Sequence, residues 1–344
     1  MRLHQKDLHE NIPGGDMTAS MAVDSLEILV IVDNVTDSLS TNPPGVEQEW
    51  RGLLSRGRIR VLSGSGICCA QHGLSLLLTA RVGEQTHNLL FDTGGERQTF
   101  VRNAAILGVD FGAVTDIVLS HGHWDHASGM LAAIEQATLV RGAGGINAYM
   151  HPGMFSQRGL TLPSGLVFPF ENVPSEQELI SVGAHVICTD QAQTMGQGAF
   201  YLSGEIPRVT PYETGLVGQV RRPTASDAWQ PDPLVMDERF VSVHVKGRGQ
   251  FIFSACSHAG IVNVLTHARD TFPHVAPFAI MGGLHLAGHN ESIIPETIAD
   301  LQKFDLQLLA PGHCTGWRAT SALERVFKEM VVPLAVGKRF VVSR

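Results

Sequence analysis

The chain has 344 residues, 44% of them hydrophobic, which is enough for a sizeable core in one or two domains. Acidic residues outnumber basic ones by 33 to 25, the formal net charge is −8, and no basic run appears, which argues against a nucleic-acid partner. No apolar run approaches the ~20 residues of a membrane-spanning helix, and the first 25 residues lack the apolar stretch of a signal peptide.

Residues 1–25 have no periodicity and read as a flexible leader, with 26–344 as a single domain. The pattern predicts a strand over 26–32, a loop start at Pro43-Pro44-Gly45, an edge strand over 59–62, and strands over 76–80 and 87–91. A helix over 96–107 is closed by Gly108. A β-branched run over 115–120 reads as a buried strand, and 127–137 as a helix with Met130, Leu131 and Ile134 on one face. Further strands are expected over 147–150, 185–188 and 198–202, with a short helix over 175–181. From 209 to 237 the chain is rich in Pro, Gly, Asp and Arg and has no period, so it reads as a long lid loop. A hairpin over 240–245 and 250–254 follows, then a helix (261–269), a strand (277–281), a helix (293–304), a strand (306–309) and a helix (321–330), with a possible edge strand over 340–342.

Polar residues recur where these strands end: Asp92, His121, His151, Glu205, His258, His285 and His313. Ligands and catalytic groups gather at strand ends in layered α/β folds. The densest case is His121-Gly122-His123-Trp124-Asp125-His126, with three imidazoles and a carboxylate within six residues on a strand-to-helix turn. Those donors suit Zn, Fe or Mn. His121 and His123 can grip one ion, and Asp125 with His126 a second beside it. Sixteen histidines fit a metal enzyme. The five cysteines, Cys68, Cys69, Cys188, Cys256 and Cys314, lack a disulfide spacing, which argues for reduced thiols and a cytoplasmic setting.

His-x-His-x-Asp-His after a short apolar strand resembles the metallo-β-lactamase superfamily. The resemblance implies an αββα sandwich, an α/β (α+β) fold of two mixed sheets flanked by helices, with the site at one edge between the sheets. Phe91-Asp92-Thr93-Gly94 resembles the first motif of that family, whose aspartate supports the histidine loop without binding metal. Pro311-Gly312-His313 resembles the last ligand motif, which implies that His313 serves the ion of Asp125 and His126. Two departures stand out. Cys256 occupies the place of a bridging aspartate; it is either a thiolate ligand or a buried apolar cysteine, and His258 can supply a ligand beside it. Ser203-Gly204-Glu205-Ile206-Pro207-Arg208 replaces the usual segment carrying a third histidine, so Glu205 is either a carboxylate ligand or orients one. Gln71-His72-Gly73, Gly204-Glu205-Ile206-Pro207-Arg208, Cys256-Ser257-His258, Gly282-Gly283-Leu284-His285 and Pro311-Gly312-His313-Cys314 together resemble the 7,8-dihydropterin-6-methyl-4-(β-D-ribofuranosyl)-aminobenzene-5′-phosphate synthase-like branch over 26–318.

These readings give His121, His123, Asp125, His126, His258, His313 and Cys256 as metal ligands, and Asp125, His285 and Glu205 as catalytic candidates. Arg208, His72 and His151 are candidates for substrate binding, with Asp92 as support. The expected cofactor is zinc, one or two ions, with Mn or Fe as alternatives. The expected partner is a small anionic substrate, with no nucleic acid and no membrane; a homodimer is admissible. Three activities are open: a hydrolase using a zinc-activated water on a phosphorylated or ester-type molecule, a synthase-like transferase releasing pyrophosphate, and a non-catalytic ligand-binding protein.

Overall fold

The computed structural model describes residues 20–142 and 145–344. Strand residues alternate between two destinations, and this alternation builds the layers. Ile28, Leu76, Phe91, Phe251, Phe253 and Met281 point into a core between two sheets. Their neighbours Ile31 and Leu90 pack outward under one helical layer, and Ile252, Ile280 and Leu309 under another. Period-two burial on both faces of two sheets gives helix, sheet, sheet, helix in four layers.

The larger sheet runs, in spatial order, Val46–Glu47, Arg339–Ser343, Ser25–Val32, Ser75–Val82, Gln85–Phe91, Asp116–Val118, Ile146–Met150 and Ala184–Cys188. Its last four strands are mutually parallel. The second sheet runs Gln193–Met195, Phe200–Leu202, Val241–Val245, Gly249–Ser254, Pro277–Gly283 and Leu308–Gly312, the last three parallel. Helices Arg97–Leu107 and Met130–Arg141 cover the first sheet, and Ile261–Thr271, Ile294–Leu301 and Trp317–Phe327 cover the second. Parallel strands place their carboxyl ends along one edge, so every residue following such a strand arrives at the same rim.

The structure adds to or departs from the expected elements in four places. Residues 1–19 of the expected leader lie outside the described residues, whereas Val23 is already buried and bridges to Val245. A helix covers Glu49–Ser55, where too few turns exist to show a periodic stripe. No strand forms over 59–62; Arg58 instead donates to the carbonyls of Ala105 and Ile106 at the end of helix Arg97–Leu107. The 209–237 segment carries strands Gln219–Arg222 and Gln230–Pro231, which join Gln157–Thr161 and Val167–Pro169 in a third, four-stranded sheet. Strands of two to five residues are too short to reveal an alternation in sequence. Among the described residues no helix is long and apolar enough to cross a membrane.

One buried amide ties the first helical layer to the sheet. Asn103 donates to the carbonyls of Ile31 and Cys69, and its own carbonyl accepts from the Cys69 N–H, each at 2.9 Å. Asn103→Ala leaves the buried Ile31 carbonyl and the part-buried Cys69 N–H and carbonyl without this partner and is expected to cost roughly 1–3 kcal/mol in urea unfolding; a change below about 0.5 kcal/mol contradicts this bracing role.

Candidate metal centre

The hexapeptide is held from behind by Asp92. This carboxylate is fully buried at the end of strand Gln85–Phe91, on backbone of φ 57°. It accepts from Ser120 N and Ser120 Oγ, each at 2.7 Å, and faces His126 Nδ1 at 2.7 Å. Ser120 Oγ lies 2.9 Å from His121 Nδ1. One carboxylate therefore orients two imidazoles, directly and through a serine, and fixes which nitrogen each presents to the site. From the front, Asp237 accepts from Gly122 N at 2.8 Å and is paired with the buried Arg158. Gly122 is required here because a Cβ would stand 2.7 Å from the Met154 carbonyl oxygen.

Donor atoms from four strand ends converge on this loop, in groups whose members lie within 4.8 Å of one another. His121 meets Cys256 and His258; His126 meets Cys256 and His313; His285 and Cys314 meet Cys256; and His72 and Asp125 meet His313. Cys256 belongs to three of the four groups, with its Sγ 3.2 Å from His126 Nε2. Asp125 Oδ2 lies 3.2 Å from His72 Nε2, 3.4 Å from His313 Nε2 and 3.7 Å from His126 Nε2. His123 is turned aside. Its Nδ1 faces His121 Nε2 at 2.9 Å, and its Nε2 lies 2.8–3.1 Å from the Gln219 amide.

Burial, reinforced by neighbouring imidazoles, holds His121 and His258 far below the usual histidine range. Burial also depresses His123, to about 3, with the Arg158 guanidinium adding to it. These rings are neutral and offer lone pairs, the form a metal needs. Burial pulls on His126 too, but the Asp125 and Asp92 carboxylates outweigh it and raise this ring to about 9. Burial alone would raise Asp125; the His126 charge and the facing His313 and His72 rings hold it ionised instead. Both ring nitrogens of His258, Nδ1 of His285 and Nε2 of His313 are buried without a hydrogen bond. Buried polar atoms without partners are costly, and a divalent cation is the partner that a set of neutral imidazoles, a carboxylate and a thiol would take. The residues present fit a transition metal.

Besides His123, the candidates Glu205, His151 and Arg208 stand apart from these groups. Glu205 is half-exposed and faces His151 Nε2 at 3.5 Å. Arg208 donates to the carbonyls of Ile206, Leu234 and Val235, so its guanidinium braces the chain around it. Sequence reading missed Gln219, Asp237 and Cys314 as parts of the site. Cys314 carried the one available signal, a thiol beside His313 at a strand end; Gln219 and Asp237 reach the hexapeptide across about a hundred residues of chain.

Asp92→Ala is expected to weaken metal affinity about 10–100-fold. Cys256→Ala is expected to lower the bound metal at both the His121 and the His126 positions. Elemental analysis of purified variants checks both, and full metal retention in Cys256→Ala contradicts the shared-thiol arrangement.

The model of the metallo-β-lactamase superfamily matches residues 73–201, which include the hexapeptide. The chain is similar to the 7,8-dihydropterin-6-methyl-4-(β-D-ribofuranosyl)-aminobenzene-5′-phosphate synthase of Methanocaldococcus jannaschii, 26% identical over 274 residues, covering 78% of this chain and 89% of that protein. A solved metal-dependent hydrolase of the β-lactamase superfamily shares the fold, with a TM-score of 0.68 at 21% identity over 93% of this chain and 100% of that one. Unliganded yeast PDE1 shares it more distantly, with a TM-score of 0.51 at 10% identity over 94% of this chain and 100% of that one. Residues 73–201 thus match the metallo-β-lactamase superfamily model, and the chain shares the fold of a solved hydrolase of the β-lactamase superfamily.

Proposed function

We propose that the protein is a metal-dependent enzyme that cleaves a phosphoester- or ester-type bond in a small anionic substrate, with water as the acceptor. The observation that carries this reading is the meeting of two ligand groups at Cys256, His121–Cys256–His258 and His126–Cys256–His313. Two adjoining groups support two ions side by side, and a thiol among imidazoles favours zinc over manganese or iron. When bound, such ions supply Lewis-acid polarisation of the scissile centre and neutralise negative charge developing on the leaving group.

The chain's own residues do the rest. Asp125, ionised, and His313 form the inner wall, and His72 stands at the mouth with its side chain about half exposed and its Nε2 3.2 Å from Asp125 Oδ2. From there His72 Nε2 can hold the proton destined for the leaving group and exchange it with solvent. The third sheet acts as a cover that limits water: Gln219 contacts His123, and the Phe170 ring packs on the same imidazole at 5.7 Å. On this cover Arg222 stacks over Trp229 at 4.3 Å, a cationic and aromatic pair suited to a flat ring bearing an anion.

A second reading is a transferase in which an arylamine takes the place of water and pyrophosphate leaves. The similarity to the dihydropterin synthase over 78% of the chain favours it. Pyrophosphate release that requires both a pterin pyrophosphate and an arylamine supports the transferase; release or hydrolysis without the amine supports the hydrolase.

His72→Ala is expected to lower kcat about 100-fold with metal content unchanged, in assays of the metal-loaded protein. Shortening the 223–228 segment is expected to lower kcat/KM for a ring-bearing pyrophosphate ester about tenfold more than for p-nitrophenyl phosphate. Equal losses on the two substrates make the third sheet a passive insertion.

A further inference from the structure

We propose that Cys314 and His285 join Cys256 in a sulfur-rich cation position that takes a thiophilic divalent ion of the zinc class. The proposal rests on reading the strand-end cluster as a metal centre, but it assigns donors beyond the hexapeptide, His258 and His313. The two sulfurs and a ring nitrogen of His285 lie within 4.8 Å of one another. They arrive from three neighbouring parallel strands: Cys256 follows Gly249–Ser254, His285 follows Pro277–Gly283, and Cys314 follows Leu308–Gly312. Cys256 and Cys314 thus begin two strand spacings apart, about 9–10 Å.

Gly283, on the intervening strand, lets them meet. A Cβ there would stand 2.6 Å from Cys314 Sγ, so the thiol lies directly over bare backbone and reaches the Cys256 carbonyl oxygen at 3.5 Å. Ser257, His285 and His313 take φ of 59°, 43° and 48°, a left-handed turn at each of the three strand ends that L-residues rarely adopt.

Ordinary packing does not account for the pair. Cys68 shows what a structural thiol looks like in this protein: it is buried within the apolar layer formed by Leu53, Phe100 and Ala104. Cys256 is as deeply buried as Cys68, yet neither it nor Cys314 belongs to an apolar cluster. Their surroundings are imidazoles, and His285 Nδ1 is buried without a hydrogen bond. Two thiols and an imidazole are a zinc donor set and a poor one for the oxygen-seeking cations magnesium and calcium.

The test uses the full chain, reduced and stripped with chelator. Zinc is added to saturation and thiol alkylation is followed residue by residue by mass spectrometry. Cys314 is expected to react about tenfold more slowly with zinc bound, while the exposed Cys69 and Cys188 keep their rates as internal controls. In parallel, cobalt is expected to give a sulfur-to-metal charge-transfer band that Cys314→Ser reduces by about half, together with a loss of about one equivalent of bound metal. A band and stoichiometry unchanged in Cys314→Ser, with zinc failing to slow Cys314 alkylation, overturn this position and leave the His121 and His126 groups standing. Absence of cobalt binding in the unaltered protein overturns both. Should Cys314→Ser fail to fold, the alkylation rates of the unaltered chain decide.

Discussion

The buried carboxylate of Asp92 is the interaction on which the rest of the site depends. A charge taken fully out of water is tolerated only when both carboxylate oxygens find donors. Asp92 meets that requirement with Ser120 N, Ser120 Oγ and His126 Nδ1, and all three belong to the loop that carries the ligands. The cost of burying the carboxylate is thereby tied to one conformation of that loop: any other arrangement leaves the charge unpartnered. The direction in which His121 and His126 offer their lone pairs follows from this constraint rather than from the histidines themselves.

A second consequence concerns the crowd of rings in front of Asp92. His121 sits with its centroid 4.4 Å from that of His126 and 4.8 Å from that of His258, and His258 lies 4.4 Å from His285. Such a cluster cannot be protonated together, and without a cation several of its nitrogens have no partner. The fold holds it in place by anchoring three of the strand ends separately. Glu238, fully buried, accepts from the N–H groups of His258 and Ala259, Asp33 accepts from that of His313, and Asp237 from that of Gly122. Three buried carboxylates thus clamp the backbone at His258, His313 and Gly122.

Much of this was legible in sequence because it depends on short-range patterns. Continuous apolar runs such as Phe251-Ile252-Phe253 announce strands buried on both faces, and the hexapeptide suggests a ligand loop by its density of donors alone. What escaped detection depends on contacts between distant segments. The strand Gln219–Arg222 exists because Gln157–Thr161 lies beside it, and neither strand is long enough to declare itself. Arg208 follows a strand end and reads from sequence as a substrate-binding residue, yet the Leu234 and Val235 carbonyls take its Nη2 donor. Glu205 stood where a ligand was expected, but the chain carries it outward to His151. Cys314 gains its meaning from the bare backbone of Gly283 beneath it, a relation no spacing rule contains.

In the proposed arrangement Cys256 is the common donor of a metal centre built at the strand ends. Anomalous diffraction at the zinc edge, on crystals of the zinc-loaded protein, tests it most directly. Peaks are expected on either side of the Cys256 sulfur, one among His121 and His258 and one among His126 and His313. Zinc bound elsewhere, with no peak within bonding reach of Cys256, would contradict it.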